Sequence, residues 1–437
     1  MNQLEWHLSE YGRRSAVPSP ANRMMAEFAR DFREGFDINL GVGYVNERTI
    51  PSRLLVEALQ AVAADRARYR QAFNYGGPEG SPNLIRSLRA FIAASGCGPD
   101  AATLERRRLI IGPCGAMSLL DGFAEVCGPG IVVTSDPGYY IFLDALERRG
   151  FRLLAIPEDG DGLRTDLLHH ALGRMGEEAR QVSFFYIMTV SNPTGTILSN
   201  ERRREVLQIA TELSLAQRRR VPVLFDLAYE WLVHDPAVPR RESVLAEDSL
   251  GIAYEVGTLS KILAPALRIG YLLGPDGDLM QAMVQRTSDS GFSAPLFVQE
   301  MASWLLDHHI GAQLRAVREG YREKALAVRE GISRELGPWL ESVSGGSAGF
   351  YFYITFRDIE TCPGSPFLAE LARGGSEPRV VYIPGVYCVA REGSLGGAAR
   401  RQMRISYGFE ETERIVEGLA QMRRAAEAAC RAPQARS

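Results

Sequence analysis

Lysine is almost missing from this chain of 437 residues. Lys261 and Lys324 stand against 48 arginines. Arginine does not give up its proton in a protein, so a neutral, nucleophilic amine can come only from these two side chains. Cysteine is scarce as well. Cys97, Cys114, Cys127, Cys362, Cys388 and Cys430 are scattered and form no CxxC pair, which fits reduced thiols in a cytoplasmic protein rather than a disulfide framework. The six histidines include no HExxH or other ligand spacing, so no metal is expected. No apolar run approaches the roughly 18 residues of a membrane helix. Met1–Glu10 holds two glutamates and no apolar stretch, so no secretory signal is expected. A net charge of −3 lacks the basic excess of a chain that neutralises many phosphates, which argues against nucleic acid as the main partner.

What is present is ordinary for a globular protein, with 46% hydrophobic and 24% charged residues. Short apolar runs alternate with helical patterns. The runs are Leu109–Ile111, Ile131–Thr134, Val182–Val190, Val221–Phe225 and Ile252–Val256. Strands this uniformly apolar predict an α/β fold whose mostly parallel sheet is covered by helices on both faces. Helices are expected over Asn22–Phe36, Leu54–Arg70 and Ser81–Ser95, and a short strand over Asp37–Gly43. Helical patterning continues from Gln281 to about Leu340. Strands at Gly349–Phe356, Val380–Ile383 and Gln402–Tyr407, with a final helix from Glu411, predict a smaller α+β domain. The expected division is an arm that also forms part of the small domain over 1–45, a large domain over 46–305 and a small one over 306–437.

In such sheets ligands bind beyond the carboxyl ends of the strands. The five runs are followed there by Gly112-Pro-Cys-Gly115, by Ser135-Asp-Pro-Gly-Tyr139, by Ser191-Asn-Pro-Thr-Gly195, by Asp226-Leu-Ala-Tyr229 and by Gly257-Thr-Leu-Ser-Lys261. Together they offer a glycine turn opening a helix, an aromatic ring, an amide, a carboxylate with a phenol, and hydroxyls beside a lysine. Pyridoxal 5′-phosphate needs this set: a lysine for its aldehyde, a carboxylate for its ring nitrogen, donors for its ring oxygen, a stacking ring and a phosphate cup. Taken singly, each piece has an ordinary reading as turn, cap or packing residue. Lys324 lies in the charged helix Tyr321–Glu330, where i,i+4 partners suit a solvated lysine. Lys261 follows a strand and precedes an apolar run, a poor place for a solvated charge.

From about Leu40 to the last helix the chain resembles the fold-type-I pyridoxal-phosphate-dependent aminotransferases of class I/II. The resemblance rests most on Gly257–Gly270. It implies Lys261 as the Schiff-base residue, and Arg268, Ser260 and Thr258 on the cofactor phosphate with Gly112, Cys114 and Gly115. It also implies Asn192, Asp226 and Tyr229 on the ring, Tyr139 stacked on it, and Arg404 on the substrate carboxylate beside Asn192. Tyr75 resembles the tyrosine that reaches a neighbouring subunit's phosphate, which implies a homodimer with shared active sites. Gly43 and Tyr44 fall in the segment that closes over substrate. Pro113 departs from the family pattern. It has no N–H, which leaves the amides of Cys114 and Gly115 to serve the phosphate. No counterpart is found of the second arginine that aspartate-type members use.

The activity implied is amino-group transfer between an amino acid and a 2-keto acid. A lyase, synthase or decarboxylase working through the same carbanion shares these motifs and is the alternative. A regulator using this fold as a sensor is disfavoured by the acidic balance and by the short segment ahead of Leu40.

Overall fold

A computed structural model describes residues 6–431; the first five residues of the predicted arm and of Met1–Glu10 lie outside it. In chain order the strands are β1 (Ile38–Asn39), β2 (Arg107–Ile111), β3 (Ile131–Asp136), β4 (Arg152–Asp159), β5 (Gly162–Leu163), β6 (Val182–Met188) and β7 (Val223–Asp226). They continue with β8 (Ala253–Thr258), β9 (Gly270–Pro275), β10 (Leu340–Gly345), β11 (Tyr351–Phe356), β12 (Val380–Val381), β13 (Ile383–Pro384) and β14 (Gln402–Ser406). An eight-stranded sheet has the order β2-β9-β8-β7-β6-β3-β4-β5. β4, β3, β6, β7 and β8 run parallel, and β9 is antiparallel to both β8 and β2. β2 therefore points the same way as β8, and the ends of β2, β3, β6, β7 and β8 meet along one edge, as the apolar runs predict.

β3, β6, β7 and β8 are buried along their whole length because helices cover both faces. The helix Gly115–Cys127 shows how. Its Phe123 lies edge-on to Phe184 of β6 at 5.4 Å and to Tyr254 of β8 at 5.5 Å. Burying such a ring stabilises the fold by roughly 1.5–3 kcal/mol. A second, antiparallel sheet has the order β10-β11-β14-β13. The helices Ile310–Leu336 and Thr412–Arg431 pack with each other in this part of the chain.

Several elements differ from expectation for local reasons. The first long helix spans Pro20–Ala29 rather than Asn22–Phe36. Ser19 caps it and Pro20 takes its first position. Beyond it the Asp37 carboxylate draws in the amide and guanidinium of Arg33, which bends the chain. The next helix, Ser52–Ala64, stops short of Arg70 because Asp65 leaves helical geometry and its carboxylate accepts the Arg68 amide. The strand expected at Asp37–Gly43 shrinks to Ile38–Asn39, paired in parallel with Val380–Val381. The Asn39 side chain accepts the amides of Gly41 and Val42 and turns the backbone away. The sequence reading passed over β4, β5, β9 and β10, the last of them directly after a stretch read as helix.

Lys324 is the clearest correction. It is 9% exposed, not solvated, and donates to the carbonyl of Glu410. Glu410 in turn accepts the amide of Asn39. Burial pulls the Lys324 amine down to about 8, against the opposing pull of Glu411 and Glu410.

Candidate active site

Lys261 lies just beyond β8, and its Nζ donates to the carbonyl of Gly43 at 3.1 Å. The amine also faces the rings of Phe350 and Tyr229, at 5.5 and 5.8 Å from their centroids. Burial, with the nearby charges of Arg268 and Arg404, pulls it down to about 8. A lysine so placed exchanges its proton near neutrality, which an arginine cannot do.

Asp226 ends β7 on the floor of the site. Its carboxylate accepts the Tyr186 hydroxyl at 2.8 Å and the Ala228 amide at 2.9 Å. Both donors are neutral, and burial pushes the group up to about 6 despite them. Tyr229 follows, its hydroxyl 2.9 Å from that of Tyr351. Tyr139 opens the helix Tyr140–Arg148 beyond β3. Burial drives its phenol above the ordinary range, with Tyr351, Tyr140, Asp226 and Arg404 all close enough to act on it.

Arg404, on β14, is fully buried. It donates to Asn192 Oδ1 at 2.8 Å and to the carbonyl of Gly41. Among the described residues its Nε has no partner. The guanidinium stands 4.4 Å over the ring of Tyr351 and 5.7 Å over that of Tyr140. A buried cation with a free donor and aromatic walls is a receptor for a carboxylate.

The helix Gly115–Cys127 begins beside the lysine loop. Arg268 arches over that start, with Nε 3.4 Å from Cys114 Sγ and Nη2 3.3 Å from the Cys114 carbonyl. Gly115, at φ +66°, makes room for it; a Cβ there would lie 2.7 Å from Nη2. In this turn the amides expected on the phosphate have partners within the chain. Gly112 N–H bonds to Gly270, Cys114 N–H to Ser118 Oγ, and Gly115 N–H to the Arg268 carbonyl. The first-turn amides of Ala116 and Met117 have no intrahelical acceptor and are the ones a phosphate can take. Thr258 is likewise engaged in shaping its loop. Its hydroxyl donates to the Ile269 carbonyl at 2.8 Å and accepts the Ser260 amide. The Ser260 hydroxyl lies 2.9 Å from that of Thr258, and Arg268 keeps spare guanidinium protons toward this cup.

Two expected residues stand apart. Tyr44 is 63% exposed and packs edge-on against Phe409, and Tyr75 is 83% exposed and leans on Phe292. The sequence reading missed Tyr186, Tyr140, Phe350 and Tyr351. Tyr186 and Tyr351 lie inside apolar strands, where a tyrosine looks like any core ring.

These residues fit pyridoxal phosphate. Asp226 is a buried carboxylate without a cationic partner, a place for a protonated ring nitrogen. The helix start under Arg268 is a cup for a dianion. Lys261 is a part-buried amine at the same edge of the sheet.

The comparisons agree. The family model described as "Aminotransferase class I and II" matches residues 37–369. A 2-aminoadipate transaminase of Thermus thermophilus is 27% identical over 376 residues, 84% of this chain and 85% of that protein. An uncharacterized HTH-type transcriptional regulator of Bacillus subtilis, YisV, is 26% identical over 386 residues, 87% of this chain and 72% of the regulator. The crystal structure of a multiple substrate aminotransferase from Thermococcus profundus superposes with a TM-score of 0.82 at 20% identity, covering 97% of this chain and 98% of that one. The chain belongs to the class I and II aminotransferases, enzymes that depend on pyridoxal phosphate.

Proposed function

We propose that Lys261 is the amine on which this aminotransferase works as it moves an amino group between an amino acid and a 2-keto acid. The observation that carries the assignment is the part-buried Nζ of Lys261, held on the Gly43 carbonyl and pulled down to about 8 by burial and by the charges of Arg268 and Arg404, so that it gives up its proton far more readily than an ordinary lysine. Pyridoxal phosphate, when bound, supplies an aldehyde for the amino group and a ring that accepts charge from the substrate α-carbon. The remaining work falls to this chain's own side chains. Arg404 takes the substrate carboxylate on its free Nε and is oriented by Asn192 and Gly41. Asp226, with Tyr186 behind it, supplies negative charge under the ring nitrogen, and Tyr139 covers the ring face. Asn192 and Tyr229 offer donors to the ring oxygen. Ser260, Arg268 and the amides of Ala116 and Met117 hold the phosphate. Lys261, once displaced, carries a proton at Nζ between substrate positions, as its lowered pKa allows.

We assign residues 46–305 to the cofactor-binding part, and 1–45 with 306–437 to the smaller part; the β1–β12 pairing supports this. The exposed phenol of Tyr75 supports a homodimer in which it reaches the neighbour's phosphate. A monomer with full activity in analytical ultracentrifugation would refute that. Six unpaired cysteines fit a reducing cytoplasm, and among the described residues no helix is long and apolar enough to cross a membrane.

The test is borohydride reduction of the cofactor-loaded enzyme, followed by peptide mapping and a single half-reaction with one amino acid at a time. The label belongs on Lys261. Stoichiometric conversion to the amine form of the cofactor, with release of a keto acid, is the expected outcome. A label elsewhere overturns the lysine assignment, and release of ammonia without the amine form overturns transamination.

A further inference from the structure

We propose that Tyr351 is a positioning residue of this reaction: its phenol donates to the Tyr229 hydroxyl and so directs the Tyr229 proton onto the cofactor's ring oxygen. The inference rests on the reading that Lys261 carries pyridoxal phosphate, and deepens it.

The geometry is specific. Tyr351 begins β11 in the four-stranded sheet, whereas Tyr229 follows β7 in the eight-stranded sheet. Their hydroxyl oxygens meet at 2.9 Å in a buried space. Each phenol carries one proton, so within the pair one donates and the other accepts. The surroundings choose the direction. The Arg404 guanidinium stands 4.4 Å over the Tyr351 ring and withdraws electron density from it, which makes Tyr351 the better donor. Tyr229 then accepts on its oxygen, and its own proton is left for a third group. Accepting one hydrogen bond strengthens the next donation along such a chain.

Gly43 makes the arrangement possible. A Cβ there would lie 2.5 Å from the Tyr351 hydroxyl oxygen, so any side chain at 43 pushes the phenol away. The same glycine offers its carbonyl to Lys261. Gly43, Lys261, Tyr229 and Tyr351 thus form one contact, drawn from both sheets and the segment ahead of them. Nothing of the kind holds for Tyr353, two residues along β11, whose hydroxyl donates to Gln402 at 3.1 Å.

Donation to the ring oxygen favours the cofactor form that has lost its proton, so weakening it raises the pH at which the visible absorption band changes. The experiment is a spectrophotometric pH titration of the cofactor-loaded enzyme, wild type against Tyr351→Phe, Tyr229→Phe and the double variant. Tyr351→Phe should move the midpoint upward by about half a pH unit. In the Tyr229→Phe background the same change should move it no further. Tyr353→Phe should leave it in place. Gly43→Ala, which keeps both phenols but displaces one, should reproduce the upward shift and serves if Tyr351→Phe does not take up cofactor. An unchanged midpoint in Tyr351→Phe and in Gly43→Ala overturns the proposal. So does a shift of equal size when Tyr229 is already phenylalanine. Borohydride labelling separates the two levels: a wild-type label off Lys261 defeats the underlying reading, whereas a label on Lys261 with an unmoved midpoint defeats only the role of Tyr351.

Discussion

The amine of Lys261 and the carbonyl of Gly43 are hydrogen-bonded across 218 positions of sequence, at 3.1 Å. One belongs to the loop after β8 and the other to the segment that leaves β1, so the bond ties the leading part of the chain to the edge of the large sheet. It holds the side chain in one place while the amine, pulled down to about 8, can still give up its proton. Arginine at 261 can make the same bond but cannot become a nucleophile. Lys261→Arg should fold, fail to take a borohydride label, and lose at least about a thousandfold in the half-reaction. An active Lys261→Arg enzyme would end the assignment.

Arg404 presents a fork held by Asn192 and Gly41 with its Nε to spare. Lysine keeps the charge and loses the fork. Arg404→Lys should raise the KM for the amino acid by about 10- to 100-fold, with a smaller loss in kcat, and should leave cofactor binding intact. Steady-state kinetics beside a cofactor absorbance titration checks this; an unchanged KM places the substrate carboxylate elsewhere.

Asp226 makes the stability of the cofactor-free protein depend on pH. Its carboxyl is held at about 6 in the folded chain, above the ordinary value of 3.8. Between these values the folded state binds more protons than the unfolded one, so this contribution is fully present below about 3.8 and is lost as pH rises through 6. Asp226→Asn should remove that dependence. Above pH 6 the cofactor-free variant should melt higher than wild type, while binding pyridoxal phosphate more weakly. Thermal melts of both proteins at several pH values decide it; parallel melting curves contradict the argument.

Cys114 is exposed and touches the Arg268 guanidinium at the start of the helix Gly115–Cys127. If phosphate occupies that cup, iodoacetamide should modify Cys114 in the cofactor-free enzyme and be blocked by bound cofactor. Cys430, exposed on the last helix, should react at the same rate in both forms. Equal protection of both thiols, or of neither, would remove the phosphate from this cup.

Much of the site could be read from the sequence because its parts hang on strand ends. The apolar runs at Ile131, Val182, Val221 and Ile252 mark buried parallel strands, and the residues after them fall on one edge whatever the details of the helices. Arg404 and Asn192 come from distant stretches and still meet, as the resemblance implies. Local hydrogen bonds were harder to see. No pattern of types reveals that Ser118 occupies the Cys114 amide, or that Thr258 folds back on Ile269. Tyr351 was hidden for another reason: in Phe350-Tyr-Phe-Tyr353 every ring suits a buried strand, and only the packing separates the phenol that meets Tyr229 from the one that faces Gln402. Lys324 was misread because a helix rich in charge looks solvated on every side until its neighbours are known.

Both lysines of this chain are turned inward, one onto Gly43 and the other onto Glu410. Succinimidyl esters, formaldehyde and other reagents that fix or tag proteins through surface amines therefore find no freely exposed lysine to grip. Coupling chemistry for this enzyme is better aimed at its terminal amine, arginines, carboxylates or thiols, and any ester that does acylate Lys261 reports directly on whether the cofactor is in place.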